Sequence, residues 1–287
     1  MNELIRAVRG ADIAVYHFLT RYAGNWALAR IVSHEEQNNI LKGGLFFALF
    51  WCAWFRADGD RDKRRKAIFA ILIGSVVAII VARTVAFAAP FRVRPINDPG
   101  LAHPAYSVPF AANLENWSWF PSDTAAYFFA LAFGLAYLFR RYAIPVMLYT
   151  AAWICLPRLY LGVHYASDVV VGSVIGVLSV WLTLHSGIVE SSAADRALAA
   201  AETKPEWFYP AAFLVSFEMA TVFAELRDLG RAALHLTLLM LDVRYKHSSS
   251  PLDEWGGLCV LAALFLVGAY VARSVHRKHR GIVQHRN

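Results

Sequence analysis

The sequence predicts an all-α protein, built as a polytopic bundle of membrane helices. Hydrophobic residues make up 58% of the 287 residues and charged residues only 17%, whereas soluble domains average about 45–50% and about 25%. The mean hydropathy is correspondingly positive, at +0.43. The apolar residues also occur in blocks close to the length of about 20 residues that an α-helix needs to cross a bilayer.

The predicted helices fall into three parts of the chain. Residues 1–38 mix apolar and charged positions, which fits one or two amphipathic helices lying at the membrane interface. Residues 39–187 form the predicted membrane core, in which a polar, proline-rich loop at 90–120 separates the second span from the third. The apolar spans of this core lie at about 40–55, 67–89, 121–140, 143–161 and 167–184.

Residues 188–287 are predicted to be a C-terminal extension that ends in a basic tail. Residues 188–206 resemble a solvated helical linker, 207–225 are apolar but contain Glu218, 231–243 form a short amphipathic stretch, and 255–271 form a final span. If the tail is cytoplasmic, 207–225 must cross the membrane as well. If 207–243 lies on the surface instead, the tail is outside; we favour the first arrangement.

The basic residues predict the orientation of the spans. The net charge is +7, and its sources collect in the 56–66 loop, at Arg140 and Arg141, and in the tail. Cytoplasmic loops of membrane proteins show this enrichment, so we expect a membrane bilayer and no nucleic acid as partner. The 90–120 and 158–167 loops then share the opposite face, which in a bacterial inner membrane is periplasmic.

Three polar clusters are expected at that outer face. The first follows the second span, the next begins the third span, and the last joins the fourth span to the fifth. Their candidate functional residues are Arg92 and Arg94, then Ser122, Asp123 and Thr124, then Arg158, His164 and Asp168.

These residue types suit the chemistry of phosphate. Planar guanidinium groups bind phosphate oxygens in pairs and remain charged. Pro121, in the first turn of a helix, leaves the backbone N–H groups of Ser122, Asp123 and Thr124 pointing toward an anion. His164 can attack phosphorus and form a phosphohistidine. Asp168, four residues later, can accept the proton of one imidazole nitrogen and leave the other to attack.

The motifs resemble those of the type 2 phosphatidic acid phosphatase family, which is related to the vanadium haloperoxidases. The family signature is Lys-x6-Arg-Pro, then Pro-Ser-Gly-His, then Ser-Arg-x5-His-x3-Asp. This chain has Arg94-Pro95, then Pro121-Ser122-Asp123-Thr124, then Pro157-Arg158-x5-His164-x3-Asp168. The resemblance covers roughly residues 40–185.

The resemblance implies a phosphatidic acid phosphatase-like helical core with extra C-terminal helices. It also implies hydrolysis of a lipid phosphate without a metal or other cofactor. Arg94 and Arg158 would bind phosphate, His164 would be the nucleophile, and Asp168 would orient it.

The chain departs from the family signature in ways that bear on the substrate. Phe87 occupies the lysine position, where Arg83 or Arg92 could substitute for the missing charge. Thr124 replaces the histidine that protonates the leaving group, and threonine cannot do so near neutral pH. A phosphate leaving from a diphosphate is already a stable anion, so we expect a lipid diphosphate such as a polyprenyl diphosphate. His103 is a second candidate for the acid.

Each cluster also has a plainer interpretation. The arginines could extend from a helix end to the headgroups, Pro121-Ser122 could simply start a helix, and His164 with Asp168 could be a structural pair. A metal site is disfavoured because no third ligand lies near the His-x3-Asp pair in the sequence. Two other functions remain open: a phosphotransferase that uses the same residues, and a lipid-binding protein or transport component that has lost turnover.

Overall fold

The computed structural model describes residues 3–21, 38–57, 59–101 and 120–240, with isolated positions between 22 and 37. All regular secondary structure in these residues is helical, and no strand occurs among them. The all-α prediction is therefore confirmed. Residues 1–221 and 222–287 form two compact units.

The first unit contains nine numbered α-helices among its described residues, and the second unit contains one. In the first unit they are α1 (Glu3–Thr20), α2 (Leu45–Phe55), α3 (Arg61–Ala88), α4 (Asp123–Leu138), α5 (Ala143–Tyr149), α6 (Leu156–Tyr160), α7 (Ala166–His185), α8 (Ser192–Thr203) and α9 (Pro205–Ala220). The π-helical stretches Ile40–Gly44 and Thr150–Cys155 precede α2 and α6. In the second unit, α10 covers Ala224–Met240.

Three of the described helices are long and apolar enough to cross a membrane. They are Arg61–Ala88, the continuous helical run Arg140–Tyr160 that contains α5 and α6, and Ala166–His185. The run Ile40–Phe55, which contains α2, and Asp123–Leu138 are apolar but shorter. The apolar helices expected in the core are thus found where the sequence placed them. The main difference in bounds is that α3 begins at Arg61, six residues before the apolar block, since the basic residues before Ala67 continue the helix.

The centre of the first unit is formed by α3, α4 and α7, which pack on one another. Two glycines of α7 permit the closest approach. A Cβ at Gly172 would lie 2.3 Å from the carbonyl oxygen of Ser122, and one at Gly176 would lie 2.1 Å from that of Ala126. The pattern Gly172-x3-Gly176, interpreted from the sequence as a close-packing face, has that role here.

Two arginines near the start of α3 also stabilise the end of α2. Arg64 Nε donates to the carbonyl oxygen of Ala53 at 2.7 Å, and Arg65 Nε donates to that of Trp54 at 3.1 Å. Arg65 also lies over the Trp54 ring, 4.5 Å from its centre. These cations therefore bond the last carbonyls of a helix, where its dipole favours positive charge.

The N-terminal helix packs against the protein core. Helix α1 contacts α6 and α7, and Tyr16 is buried in a cluster with Leu101 and Tyr165. The sequence predicted an amphipathic helix at the membrane interface. The amphipathic helix is present, and its less exposed side faces protein.

The described part of the C-terminal region differs from a solvated linker followed by a span. Helix α8 buries Ala194, Leu198 and Ala201 and packs on α3 and α9, so the prediction of a solvated face at 188–206 is wrong for these positions. Helix α9 occupies most of the apolar 207–225 segment. The predicted span at 255–271 lies outside the described residues.

Candidate active site

The three polar clusters meet at one end of the helices of the first unit. The backbone N–H of Ser122, before α4, donates to the carbonyl oxygen of Asp168 in α7 at 3.0 Å. The N–H of Ile96 donates to the carbonyl oxygen of Gly162 at 2.9 Å. These two bonds fix the loop after α3 and the start of α4 against the turn that joins α6 to α7.

His164 and Asp168 form the buried centre of this region. His164 is 2% exposed and Asp168 is fully buried. His164 Nδ1 lies 3.7 Å from Asp168 Oδ2, which is longer than a hydrogen bond, although such contacts are often loose before substrate binds. The same Oδ2 accepts the backbone N–H of Tyr165 at 2.8 Å. Asp168 thereby caps the start of α7 and faces the imidazole with a fixed carboxylate.

Two arginines place positive charge beside the imidazole. Arg94 is 1% exposed, in the loop after α3, and Arg158 is half-buried on α6. Burial lowers the pKa of Arg94, and the neighbouring charge of Arg158 lowers it further. Two neighbouring guanidiniums that repel each other favour an anion between them.

The pKa of His164 responds to the same surroundings. Burial lowers this pKa below the ordinary value of 6.5, and the charges of Arg158 and Arg94 act in the same direction. The neighbouring carboxylate of Asp168 opposes them without reversing the shift. The imidazole is therefore neutral near pH 7, which is the state that a nucleophile requires.

The start of α4 is capped by its own side chains. Ser122 Oγ accepts the N–H of Ala125 at 3.3 Å, and Asp123 Oδ1 accepts the N–H of Thr124 at 2.8 Å. The N–H of Ser122 is engaged by Asp168, as described above. The prediction that the amides of Ser122 and Thr124 point at an anion is therefore wrong, because both have protein acceptors.

Arg83 and Asp123 form an ion pair close to these residues. Arg83 lies in α3, and its charge also acts on Arg94. The carboxylate of Asp123 in turn lies within electrostatic range of Arg158 and His164. Of the two candidates for the missing family lysine, Arg83 is thus in the neighbourhood of the arginine pair, with a carboxylate beside it.

Arg92, the other candidate, binds carboxylates. Its Nη1 donates to Asp168 Oδ1 at 2.5 Å and to Ser167 Oγ at 2.8 Å, while Nη2 donates to Asp12 Oδ2 at 2.6 Å. Sequence reasoning singled out Arg92 for phosphate and missed Asp12 altogether. One signal in the sequence could have indicated Asp12. It lies on the same face of the predicted helix as Val8 and Tyr16, each one helical turn away, so a carboxylate interrupts a row of apolar and aromatic side chains.

Among the residues that the structure describes, no group of three or more His, Cys, Asp or Glu side chains is arranged to hold a metal ion. The positive charge near His164 comes from arginine side chains.

Residues 90–188 match the family model of the PAP2 superfamily. This segment is therefore similar to members of that superfamily. It contains Arg94, Ser122, Arg158, His164 and Asp168, and so includes all three polar clusters, whereas Arg83 and Asp12 lie outside it. A search of the curated proteins and a search of the solved structures each found no match.

The PAP2 match supports a phosphoester hydrolase of this superfamily. The several apolar helices are compatible with an integral membrane protein. The resemblance seen in the motifs is confirmed by the family match.

Proposed function

We propose that the protein is an integral membrane lipid phosphatase that hydrolyses a lipid diphosphate, with a polyprenyl diphosphate as the favoured substrate. The observation that carries the proposal is the set of charges around His164. Asp168 faces Nδ1 of the imidazole, and the charges of Arg94 and Arg158 act on the same ring. In this proposal His164 is the nucleophile, Asp168 orients it, and Arg94 and Arg158 bind the phosphoryl group.

In the first step, Arg94 and Arg158 bind oxygens of the terminal phosphoryl group. His164 keeps its proton on Nδ1, toward Asp168, so that Nε2 attacks phosphorus. The N–P bond forms while the bond from phosphorus to the bridging oxygen breaks, and the lipid monophosphate leaves. The guanidiniums stabilise the charge on the transferring group, a role that needs no metal ion in this proposal.

In the second step, water attacks the phosphorus of the phosphohistidine. The P–N bond breaks, inorganic phosphate leaves, and a proton from the water passes to solvent. The imidazole returns to its starting state. A covalent intermediate of this kind divides one difficult displacement into two easier ones.

The preference for a diphosphate follows from the leaving group. Thr124 stands where the related family has a histidine acid, and a threonine hydroxyl does not donate a proton near neutral pH. A lipid monophosphate leaves as a stable anion without that proton, whereas an alkoxide does not. The active site opens, on this proposal, to the periplasmic face of a bacterial inner membrane, opposite the basic 56–66 loop.

The central test is phosphate release by the purified full-length protein from a panel of lipid phosphates. We expect His164→Ala to abolish release and to prevent trapping of a phosphorylated protein. The matched control is His185→Ala, because His185 is an exposed histidine at the far end of α7. Release by His164→Ala at the wild-type rate would remove His164 from the mechanism.

A second test compares a lipid diphosphate with the monophosphate of the same lipid. The diphosphate should be hydrolysed faster, because its leaving group needs no proton. Faster hydrolysis of the monophosphate would contradict the diphosphate assignment and leave the phosphatase assignment standing. Binding of every lipid in the panel with no release of phosphate would instead indicate a protein that binds lipids without turnover.

A further inference from the structure

The N-terminal helix supplies a buried carboxylate to the candidate active site. Asp12 lies in the middle of α1 and is 2% exposed. Its Oδ1 accepts the backbone N–H of Ser167 at 2.8 Å, and its Oδ2 accepts the Ser167 hydroxyl at 2.6 Å. Oδ2 also accepts Nη2 of Arg92 at 2.6 Å. A carboxylate is costly to bury unless such partners surround it, and here every partner lies next to Asp168 or bonds to it.

Arg92 is therefore held from both sides. One nitrogen of its guanidinium bonds to Asp12 and the other to Asp168. The guanidinium carbon also lies over the ring of Tyr165, 4.2 Å from the ring centre. A planar guanidinium with a carboxylate at each end and an aromatic ring against its face has little freedom to rotate.

This arrangement fixes the carboxylate that faces the nucleophile. Arg92 binds Oδ1 of Asp168, and the N–H of Tyr165 binds Oδ2. With both oxygens engaged, Oδ2 stays directed toward Nδ1 of His164. Without Asp12, Arg92 would lose one of its two charged anchors and would be able to turn toward a bound phosphate.

We propose that Asp12 is a positioning residue, which holds Arg92 between two carboxylates and thereby orients Asp168 toward His164. Asp12 touches neither the substrate nor the reacting atoms in this role. The N-terminal helix then contributes to the geometry of the active site, although it lies outside the segment that matches the PAP2 model. The inference rests on the proposed function, because it assigns Asp168 the task of orienting a nucleophilic histidine.

The experiment measures kcat, KM and thermal stability of the full-length protein with a lipid diphosphate. Asp12→Asn should lower kcat about tenfold, the lower end of the effect of indirect partners of this kind, while KM and the melting temperature stay close to wild type. Asp12→Glu, which keeps the charge, should recover part of the loss. Glu3→Gln is the matched control, because it removes an exposed carboxylate from the same helix and should leave kcat unchanged.

A double-mutant cycle with Arg92→Lys separates positioning from docking of the helix. If Asp12 acts through Arg92, the double variant should be no slower than Arg92→Lys alone, since both changes break the same link. Additive losses, or a fall in melting temperature with kcat unchanged, would show that Asp12 only docks α1. A lower KM in Asp12→Asn would also overturn the proposal, because Arg92 would then be a phosphate ligand restrained by Asp12.

The two proposals can fail separately. If His164→Ala is inactive and Asp12→Asn matches wild type, the phosphatase assignment stands and the role of Asp12 is refuted. If His164→Ala retains full activity, the proposed function itself is refuted.

Discussion

The contact between Gly172 and Ser122 provides a sharp test of how packing positions the site. Gly172→Ala adds one methyl group to the face of α7 that touches the start of α4. The new Cβ would lie 2.3 Å from the carbonyl oxygen of Ser122, whereas ordinary contacts begin at 3.4 Å. The nearest atom belongs to the backbone, which cannot turn aside as a flexible side chain can. The two helices must therefore separate by about 1 Å, the difference between these two distances, or tilt.

The size of the effect follows from what this contact holds in place. The N–H of Ser122 bonds to the carbonyl oxygen of Asp168. Separation of α4 from α7 therefore moves Ser122 and its neighbours away from His164 and Asp168. Overpacking of this kind costs about 1–3 kcal/mol of folding stability. A displacement of about 1 Å in a catalytic arrangement costs about 100-fold in rate. We expect Gly172→Ala to lower kcat/KM about 100-fold and to lower the melting temperature.

The assay is phosphate release from a lipid diphosphate, measured beside a thermal melt of the same detergent-purified sample. Gly10→Ala is the matched control, because Gly10 is also helical and a Cβ there meets no atom within 4 Å. That variant should be fully active and slightly more stable, since alanine favours a helix over glycine by roughly 0.5–1 kcal/mol. Wild-type activity in a stable Gly172→Ala protein would refute the view that close packing of α4 and α7 sets the geometry of the site.

Two further predictions concern charge. In a pH–rate profile, the loss of kcat/KM on the acid side should have its midpoint below pH 6.5. Only the neutral imidazole attacks, and burial and the charges of Arg158 and Arg94 lower the pKa of His164. A midpoint above pH 6.5 would contradict this. Asp123→Asn should lower both KM for the lipid diphosphate and the inhibition constant for inorganic phosphate by about tenfold, which corresponds to about 1.4 kcal/mol. The reason is that the substitution removes a negative charge from the site and frees Arg83, which now pairs with that carboxylate. A raised KM would show that Asp123 supports substrate binding.

The helices of the membrane core followed from local pattern, because an apolar block of about 20 residues has few other stable structures in a bilayer. The residues that surround His164 followed from motif order and spacing. The same local reasoning was wrong about the amides of Ser122 and Thr124. A helix start exposes N–H groups, but the sequence does not tell whether a ligand or a nearby side chain will accept them.

Arg92 and Arg83 illustrate the same limit. Both were candidates for a missing charge, and their positions in the sequence did not distinguish them. Their partners distinguish them, since Arg83 pairs with Asp123, whereas Arg92 pairs with Asp12 and Asp168. Each of these partners is at least 40 residues away along the chain. Pairing over such separations depends on how the helices pack.

The sequence by itself determined that the chain is helical, that its core is apolar enough for a membrane, and which arginine and histidine motifs accompany one another. These properties depend only on composition and on the spacing of residues that are close together in the sequence. Only the tertiary structure decided which side chain bonds to which, and it brought α1 into the site through Asp12. A buried charge takes whichever partner the packing of distant helices brings within reach, because leaving it unpaired costs more than any local preference supplies.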